Sequence, residues 1–425
     1  MKKILRTVML GLAGAVFLTA CTRDEIPAKA KDPLPNTLIL DWNLVALEAA
    51  GGINYQLPLQ GSRINAMVHI AMHDALNAID PVYEQYTFKG DNRKASLEAA
   101  AAAAAHGVLS ASFPEKRKML DSMLSVSLKS VGNSEKKDAG LEIGKAAAAA
   151  ILALRADDAA NADPVGPVAE TEMPGMYRPV PPFNFLFAPQ WKTMKLFALE
   201  KHDQFLPPPP PALNSAEYAN AFNEVKRIGR AHSESRTAAQ SAYAKFWYEF
   251  SEIGWNRVAR IGVKNKDLGL MATARVFALL NMALADSYSS GWHSKYHYNF
   301  WRPYSAIRLA DTDGNELTDS DINWEPAEPT PPAQDYPSTH SVLGNAGATV
   351  LSELLGNNMP FVMNSSTAVD KTSYRQFNNF LDAANENADS RVMAGIHFRF
   401  ASEAGQKMGN KIGEWVVNNY CRPAK

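Results

Sequence analysis

The sequence predicts an all-α fold made of two related helical bundles, and three observations support this prediction. Residues 64–79 place apolar side chains at helical spacing, and residues 97–109 and 145–156 are rich in alanine, the strongest helix former. No long segment alternates apolar and polar residues as a half-buried strand would. A repeated helical pattern indicates that the same unit occurs twice in the chain.

The composition is that of a globular protein. The chain has 425 residues, of which 46% are hydrophobic and 20% are charged, so it is long enough to bury a large core. The formal net charge is −1, so no overall positive field attracts nucleic acid. Any anion site must therefore be built from local cations.

The first 21 residues have the pattern of an export signal. Lys2, Lys3 and Arg6 precede an apolar run, residues 8–18, that is too short to span a membrane in the mature protein. The sequence L-T-A-C ending at Cys21 resembles a bacterial lipoprotein processing box, in which the cysteine is lipidated. The alternative is an ordinary signal peptide cleaved near Ala20. We therefore expect an exported protein with a lipid anchor at Cys21.

The residue after the processing box refines this expectation. Thr22 stands where an aspartate would favour the inner membrane, so the resemblance implies the outer membrane. Residues 22–36 contain three prolines and several charges and are predicted to form a flexible tether. If Cys21 is acylated, Cys421 is the only remaining thiol, so no disulfide framework forms within the chain.

The rest of the chain divides into two predicted bundles, residues 37–204 and 205–425. The second begins with a five-proline run in residues 205–213, which is typical of a stiff extended strut. Helical patterns follow at 218–232, 238–248 and 268–290. Residues 311–336 form a loop rich in acid and proline that is long enough to be a lid or pocket wall.

The internal repeat has an offset of 212 residues. An arginine, two alanines and an aspartate coincide in register, with mostly apolar residues between them: Arg63, Ala66, Ala71 and Asp74 match Arg275, Ala278, Ala283 and Asp286. The same offset maps Lys295 onto Tyr83 and Arg302 onto Gly90. Only the second copy can therefore carry a site built on these two cations.

The densest chemistry lies in residues 292–303, which read W-H-S-K-Y-H-Y-N-F-W-R-P. Lys295 and Arg302 are seven residues apart, close to two helical turns, which predicts that both lie on one helical face. Pro303 is predicted to end that helix, because it lacks an N–H and restricts the preceding residue.

Two further motifs complete an oxyanion-binding set: P-S-T-H at 337–340 and S-R-x5-H at 390–397. Arg302 and Arg391 offer paired donors, and Ser338 precedes a predicted helix, 341–355, whose first N–H groups are unpaired. His340 and His397 remain, one to bind or attack the central atom and one to transfer protons near neutral pH. The set fits a compact tetrahedral oxyanion.

These three motifs, K-x6-R-P, P-S-x-H and S-R-x5-H, resemble those of the vanadium haloperoxidase and type 2 phosphatidic acid phosphatase superfamily. Trp292, F-W-R-P, G-x-H-F-R-F at 395–400, the proline run and A-K-F-W at 244–247 are similar to the haloperoxidase branch. The resemblance implies two four-helix bundles with the site in the second. It also implies a vanadate cofactor.

Carried over position by position, the resemblance implies a role for each motif residue. His397 is the nitrogen ligand of vanadate, and its oxygens are held by Lys295, Arg302, Ser338, Arg391 and the backbone N–H of Thr339. His340 is the acid/base for hydrogen peroxide, Lys295 polarises the bound oxidant, and Trp292 lines the halide pocket. The product is hypohalous acid.

The sequence departs from the family at two positions. Thr339 stands where glycine is usual, which places a side chain near the oxyanion. Ala401 stands where an aspartate often follows the ligand histidine by four residues. Since a metal-bound histidine needs a partner for its other ring nitrogen, His397 is expected to find another, such as a backbone carbonyl.

The leading hypothesis is thus an exported, lipid-anchored, vanadium-dependent haloperoxidase acting on hydrogen peroxide, a halide and an organic acceptor, with no nucleic-acid partner. One alternative is an acid phosphatase on the same pocket, acting through a phosphohistidine at His397 with His340 protonating the leaving group. The other is a non-catalytic surface lipoprotein. The sequence leaves open the halide, the acceptor and the oligomeric state, a homodimer included.

Overall fold

A computed structural model describes residues 34–370 and 372–424. The predicted leader, its lipidation site Cys21 and most of the predicted tether lie outside the described residues. The last residues of that tether lie against the second half of the chain, because Pro35 bridges to Gly269 and the Leu270 N–H donates to the Leu34 carbonyl at 3.1 Å. The predicted division near residue 205 stays a prediction.

The described residues form an almost entirely helical protein, as predicted. Its α-helices are α1 Thr37–Ala49, α2 Pro58–Asn77, α3 Leu97–Ser112, α4 Arg117–Ser127, α5 Glu135–Leu154, α6 Ala216–Ile228, α7 Ala238–Phe246, α8 Ser251–Asn265, α9 Leu270–Tyr298, α10 Pro303–Arg308, α11 Thr339–Leu355, α12 Phe380–Met393 and α13 Arg399–Asn419. Two antiparallel pairs of short strands accompany them: β1 Val165–Gly166 with β2 Leu186–Phe187, and β3 Phe361–Asn364 with β4 Tyr374–Phe377.

One predicted element is wrong: Lys295 and Arg302 do not share a helix. α9 ends at Tyr298, because Asn299 takes the left-handed conformation with φ 45° and its N–H closes back to the Lys295 carbonyl. Arg302 is the extended N-cap residue of α10, and Pro303 begins that helix instead of ending the previous one. Proline is favoured at the first helical position, where its missing N–H costs no hydrogen bond.

α9 is the central helix of the protein. It packs against α2 of the first half and against α8, α11 and α13 of the second. α9 is also long and apolar enough to cross a membrane, yet 94% of its most apolar window is buried inside the protein. It is thus a core helix, and it carries Trp292 and Lys295 at its C-terminal end.

Each half contains one helix pair in close backbone contact. In the first, a side-chain carbon added to Gly144 of α5 would lie 2.3 Å from the Ala100 carbonyl oxygen of α3. In the second, a carbon added to Gly405 of α13 would lie 2.5 Å from the Ser338 carbonyl oxygen at the start of α11. Neither approach leaves room for a Cβ. The second contact brings α13 directly against the P-S-T-H motif.

The repeated aspartates have matching roles. Asp74 accepts three successive backbone N–H groups, those of residues 86–88, at 2.6 to 2.8 Å. Asp286 likewise accepts those of residues 197–199 at 2.7 to 2.8 Å. Both carboxylates are fully buried, so each satisfies a loop that packs onto its helix. This shared geometry supports the duplication that the sequence repeat predicts.

His69, on α2, makes the stability of the protein depend on pH. It is fully buried, and its Nε2 lies 2.9 Å from the Asn43 amide nitrogen, which can only donate. Burial, and then Arg260, lower the pKa of His69 to about 3. The unfolded chain therefore binds a proton below about pH 6.5 that the folded chain does not, so stability is lost as the pH falls.

We predict that the difference in unfolding free energy between wild type and His69→Gln shrinks by about 2 kcal/mol between pH 7 and pH 5, since each pH unit below 6.5 costs the histidine form about 1.4 kcal/mol. Urea unfolding at both pH values measures it. The exposed His232→Gln is the control, with a small effect at both pH values. A constant difference for His69→Gln would contradict a neutral His69.

Candidate functional site

The three motifs converge at one end of the second bundle. Lys295 comes from α9, Arg302 and Ser338 are the N-cap residues of α10 and α11, Arg391 lies near the end of α12, and His397 lies between α12 and α13. All five residues are at most 3% exposed. The structure therefore brings these predicted site residues together.

Lys295 and Arg302 meet on a single short segment, residues 333–335. Lys295 Nζ donates to the carbonyls of Gln334 and Asp335 at 2.6 and 3.1 Å. Arg302 Nε donates to the Ala333 carbonyl at 2.6 Å. This segment is the end of the loop predicted as a lid or pocket wall, and it forms a wall of the site. Residues 333–335 thus hold Lys295 and Arg302 next to each other, although these two residues do not share a helix.

Arg391 closes another side of the site. Its Nη1 donates to the Trp247 carbonyl at 3.0 Å, and its guanidinium lies 5.6 Å from the ring centre of Tyr248. Its Nε is buried and has no hydrogen-bond partner within residues 34–370 and 372–424. A buried donor of this kind is costly unless a ligand takes it up. The free Nε therefore favours an anionic ligand.

The start of α11 adds neutral donors. Ser338 Oγ is buried and unpartnered in the described part of the chain. The first N–H groups of a 17-residue helix follow it, beginning with that of Thr339. A side chain on Gly291 would lie 3.3 Å from Thr339 Cγ2, so the extra methyl of Thr339 packs toward α9 at a glycine. The backbone donor keeps its place at the helix start.

His397 has a carboxylate neighbour that the sequence analysis missed. Its Nδ1 lies 2.9 Å from Asp335 Oδ1, and its Nε2 lies 3.0 Å from Arg302 Nη1. The expected carbonyl partner is therefore wrong, because an acidic side chain from the 333–335 segment lies at that nitrogen. Asp335 stands three residues before Ser338, and its proximity to the P-S-T-H motif was the available clue.

Burial, and then the charges of neighbouring groups, shift the pKa values of the site residues. Burial, and then Arg302, lower the pKa of Lys295 well below its ordinary value, while Asp335 acts in the opposite direction. Burial lowers the pKa of Arg391 to about 10. Burial also raises the pKa of Asp335 to about 7, against the effect of Arg302 and Lys295. A bound anion would favour the charged form of each cation.

Both histidines are neutral bases in this setting. Burial, and then Arg302 and Lys295, lower the pKa of His397 well below its ordinary value. Burial, and then Arg391, do the same for His340. His340 is the only one of the two that is partly exposed, and its Nε2 lies 3.2 Å from the Glu249 carbonyl. A carbonyl only accepts, so Nε2 carries the proton and Nδ1 is the free base.

Trp292 lies on α9, one turn before Lys295, and is 7% exposed. Its indole N–H donates to the Phe187 carbonyl at 3.0 Å, and its ring packs edge-on against Tyr288. The N–H is therefore already used and does not point to a halide as a free donor. A role for Trp292 in the halide pocket stays a prediction.

The residues fit an oxyanion. The pocket brings together three basic side chains and one buried carboxylate, Asp335, which lies 3.9 Å from Arg302, so basic groups outnumber the acidic one. Unpartnered donors from Arg391 and Ser338 add hydrogen bonds for oxygen atoms. The neutral His397 imidazole lies among these donors, with its Nε2 at 3.0 Å from Arg302 Nη1. The fold and the site together define an all-α, two-bundle protein with a buried oxyanion pocket.

Comparisons with known proteins show which protein family has a similar sequence. A family model described as the VCPO second helical-bundle domain matches residues 275–424. The vanadium chloroperoxidase of Curvularia inaequalis is 25% identical, with 87% of this chain and 79% of that protein covered. The chain is therefore similar to the vanadium haloperoxidases, as its three motifs predict.

Solved structures agree with this assignment. The crystal structure of the first bacterial vanadium-dependent iodoperoxidase matches with a TM-score of 0.78 and 25% identity, over 93% of this chain and all of that one. A holo-type bacterial vanadium-dependent chloroperoxidase matches with a TM-score of 0.69 over 85% of this chain and 92% of that one. Its identity is 17%, so it supports the fold alone. The predicted all-α fold class is confirmed.

Proposed function

We propose that this protein is a vanadium-dependent haloperoxidase, which uses hydrogen peroxide to oxidise a halide to hypohalous acid. The observation that carries the proposal is the convergence of Lys295, Arg302 and Arg391 around His397 in one buried pocket. In the overall reaction the halide loses two electrons, the peroxide is reduced to water and one proton is consumed. When bound, vanadate supplies a Lewis acid that activates peroxide without changing its own redox state.

The residues of the pocket would hold vanadate in complementary ways. The three cations and Ser338 Oγ would bind its oxygens, together with the Thr339 N–H. Nε2 of His397 would bind the metal, since its other ring nitrogen faces Asp335. These donors stabilise negative charge that develops on oxygen as the peroxide bond breaks.

His340 would move the proton of the incoming peroxide. It is neutral, its Nδ1 is free, and it is partly exposed whereas the other site side chains are buried. A base at the solvent side of the pocket can take a proton from peroxide and later return one to the leaving oxygen.

The alternative is a phosphatase that uses the same donors, since phosphate and vanadate have the same tetrahedral shape. His397 Nε2 would then be the nucleophile and His340 the acid for the leaving group. The unpartnered Ser338 Oγ and Arg391 Nε are equally suited to phosphate. The two functions differ in how vanadate acts: it restores halide oxidation but inhibits phosphate transfer.

Purified protein, stripped of metal and then loaded with vanadate, tests the proposal. We expect peroxide-dependent oxidation of iodide or bromide that rises with bound vanadate, measured by triiodide absorbance and metal analysis. Free vanadate at the same concentration is the control. Phosphomonoester turnover that vanadate inhibits would instead establish the phosphatase. Folded, vanadate-loaded protein without either activity would leave the non-catalytic surface lipoprotein.

We also propose that the protein is exported and lipid-anchored at Cys21, on the basis of the L-T-A-C box that follows the apolar run. Expression of the full chain with a labelled fatty acid tests this. Label incorporation that is lost in Cys21→Ser is the expected result, and unlabelled wild-type protein would contradict it.

A further inference from the structure

We propose that Asp335 is the positioning residue for His397, and that it takes over the task of the aspartate missing at position 401. The proposal deepens the proposed function, because it rests on His397 as the ligand of vanadate. Asp335 belongs to the loop before α11, whereas residue 401 lies on α13. The same histidine would thus be oriented from a different part of the chain.

The shorter contact at each ring nitrogen of His397 favours one tautomer. Nδ1 lies 2.9 Å from Asp335 Oδ1 and 3.4 Å from Arg302 Nη1, and an ionised carboxylate at the shorter distance favours a proton on Nδ1. Nε2 lies 3.0 Å from Arg302 Nη1, and a guanidinium can only donate, so this contact favours a lone pair on Nε2. Neither Asp335 carboxylate oxygen has a hydrogen-bond partner among the described residues, so the carboxylate is free to accept the Nδ1 proton when the ring binds a ligand. Nε2 is the nitrogen that this tautomer offers to a metal.

The backbone around Asp335 is held independently of its carboxylate. The Asp335 N–H donates to the Phe300 carbonyl at 3.0 Å, and the Asp335 carbonyl accepts from Lys295 Nζ at 3.1 Å. The neighbouring Ala333 carbonyl accepts from Arg302 Nε at 2.6 Å. Replacing the carboxylate therefore changes the partner of His397 while these three bonds keep the segment in place.

Position 401 has no polar side chain to offer. Ala401 is fully buried, and its carbonyl accepts the Ser338 N–H at 2.9 Å, so this residue joins α13 to the start of α11. Asp335 is fully buried as well, and it places the one acidic side chain at His397 Nδ1. Metal-bound histidines commonly donate their other ring N–H to such a carboxylate.

Affinities for vanadate and inorganic phosphate, measured on Asp335→Asn and Asp335→Ala, separate positioning from simple charge. If Asp335 acts only as a charge, its removal from an anion site strengthens the binding of both anions. If it positions His397, vanadate binding weakens by about 10–100-fold, because a vanadate–nitrogen bond needs the oriented ring. Phosphate, held by the cations alone, binds as well as before or more tightly.

Asp286→Asn is the matched control. It removes an equally buried carboxylate, one that accepts the N–H groups of residues 197–199 instead of facing His397. It should leave the ratio of vanadate to phosphate affinity unchanged. Circular dichroism of each variant establishes that it is folded. Asp335→Asn removes the charge but keeps the size and an acceptor oxygen, so it should lose less vanadate affinity than Asp335→Ala if Asp335 positions the ring.

A second readout needs neither vanadate nor turnover. Nitrogen-15 shifts of the His397 ring should show a protonated Nδ1 in wild type and a shift toward protonated Nε2 in Asp335→Ala. An unchanged tautomer together with an unchanged vanadate-to-phosphate ratio would overturn the proposal. Neither readout depends on halide oxidation. If the wild-type protein oxidises no halide but Asp335→Ala still lowers the ratio of vanadate to phosphate affinity, the proposed function is disproved and the positioning role of Asp335 is kept.

Discussion

Replacing His397 with alanine is expected to weaken vanadate binding by more than about 100-fold, since even residues that only orient a metal ligand contribute 10–100-fold. Vanadate-dependent halide oxidation should fall to the rate of free vanadate. The physical reason is that Nε2 of His397 is the one neutral nitrogen among three buried cations. The cations attract vanadate and phosphate alike. The His397 nitrogen favours vanadate, because its metal centre can accept a nitrogen ligand.

Phosphate affinity provides the internal check on this variant. Lys295, Arg302 and Arg391 remain in His397→Ala, so phosphate should still bind, which shows that the pocket is intact. His106→Ala is a control, because that histidine contacts Asp121 at 2.7 Å between α3 and α4, in the first half of the chain. Vanadate binding that survives in His397→Ala would mean that the cations alone hold the cofactor, and the assignment of the ligand would fail.

The helices were predictable from sequence because their cause is local. Alanine content and apolar spacing identify α2, α3 and α5. The end of each helix lies within three residues of the prediction, whereas α2 begins six residues and α5 ten residues earlier than predicted. The link between Lys295 and Arg302 was not predictable in this way. A seven-residue spacing is compatible with two helical turns, but the left-handed conformation of Asn299 breaks the helix between them.

The site was predictable where residues lie in motifs and not where they lie in loops. Lys295, Arg302, Ser338, Arg391 and His397 do converge, and their residue types indicated an oxyanion. Asp335 was missed because its role depends on how a long loop folds back onto α9 and α10. The carbonyls of Glu249 and Trp247 were missed too, since any residue has a carbonyl and no sequence pattern identifies one.

The proline-rich strut, residues 205–213, was predictable in its conformation but not in its contacts. Its composition predicted a stiff extended connector, and the structure adds what the connector holds. The Tyr298 hydroxyl at the end of α9 donates to the Pro207 carbonyl, and the Tyr336 hydroxyl donates to the Pro208 carbonyl at 2.7 Å. Both tyrosines flank the site, so the strut ties the end of the central helix to the residue preceding the P-S-T-H motif.

Replacing His340 with glutamine is expected to lower kcat/KM for hydrogen peroxide by about 10²–10⁴-fold, the usual contribution of a general acid–base group. Vanadate affinity should change only a few-fold, because His340 is partly exposed and the five buried side chains that would hold the anion remain. Steady-state kinetics at saturating vanadate, with an independent binding measurement, separate the two effects. A large loss of vanadate affinity would instead assign His340 to cofactor binding.

The role of His340 as a base also predicts how the effect of His340→Gln changes with pH. Burial, and then Arg391, lower the pKa of His340 well below its ordinary value, so the wild-type base is unprotonated at neutral pH. As the pH falls through that lowered pKa, wild type loses its base, whereas the glutamine variant has none to lose. The ratio of wild-type to variant rate should therefore be largest at neutral pH and shrink in acid. A ratio that grows as the pH falls would mean that His340 acts from its protonated form, as an acid in the first proton transfer.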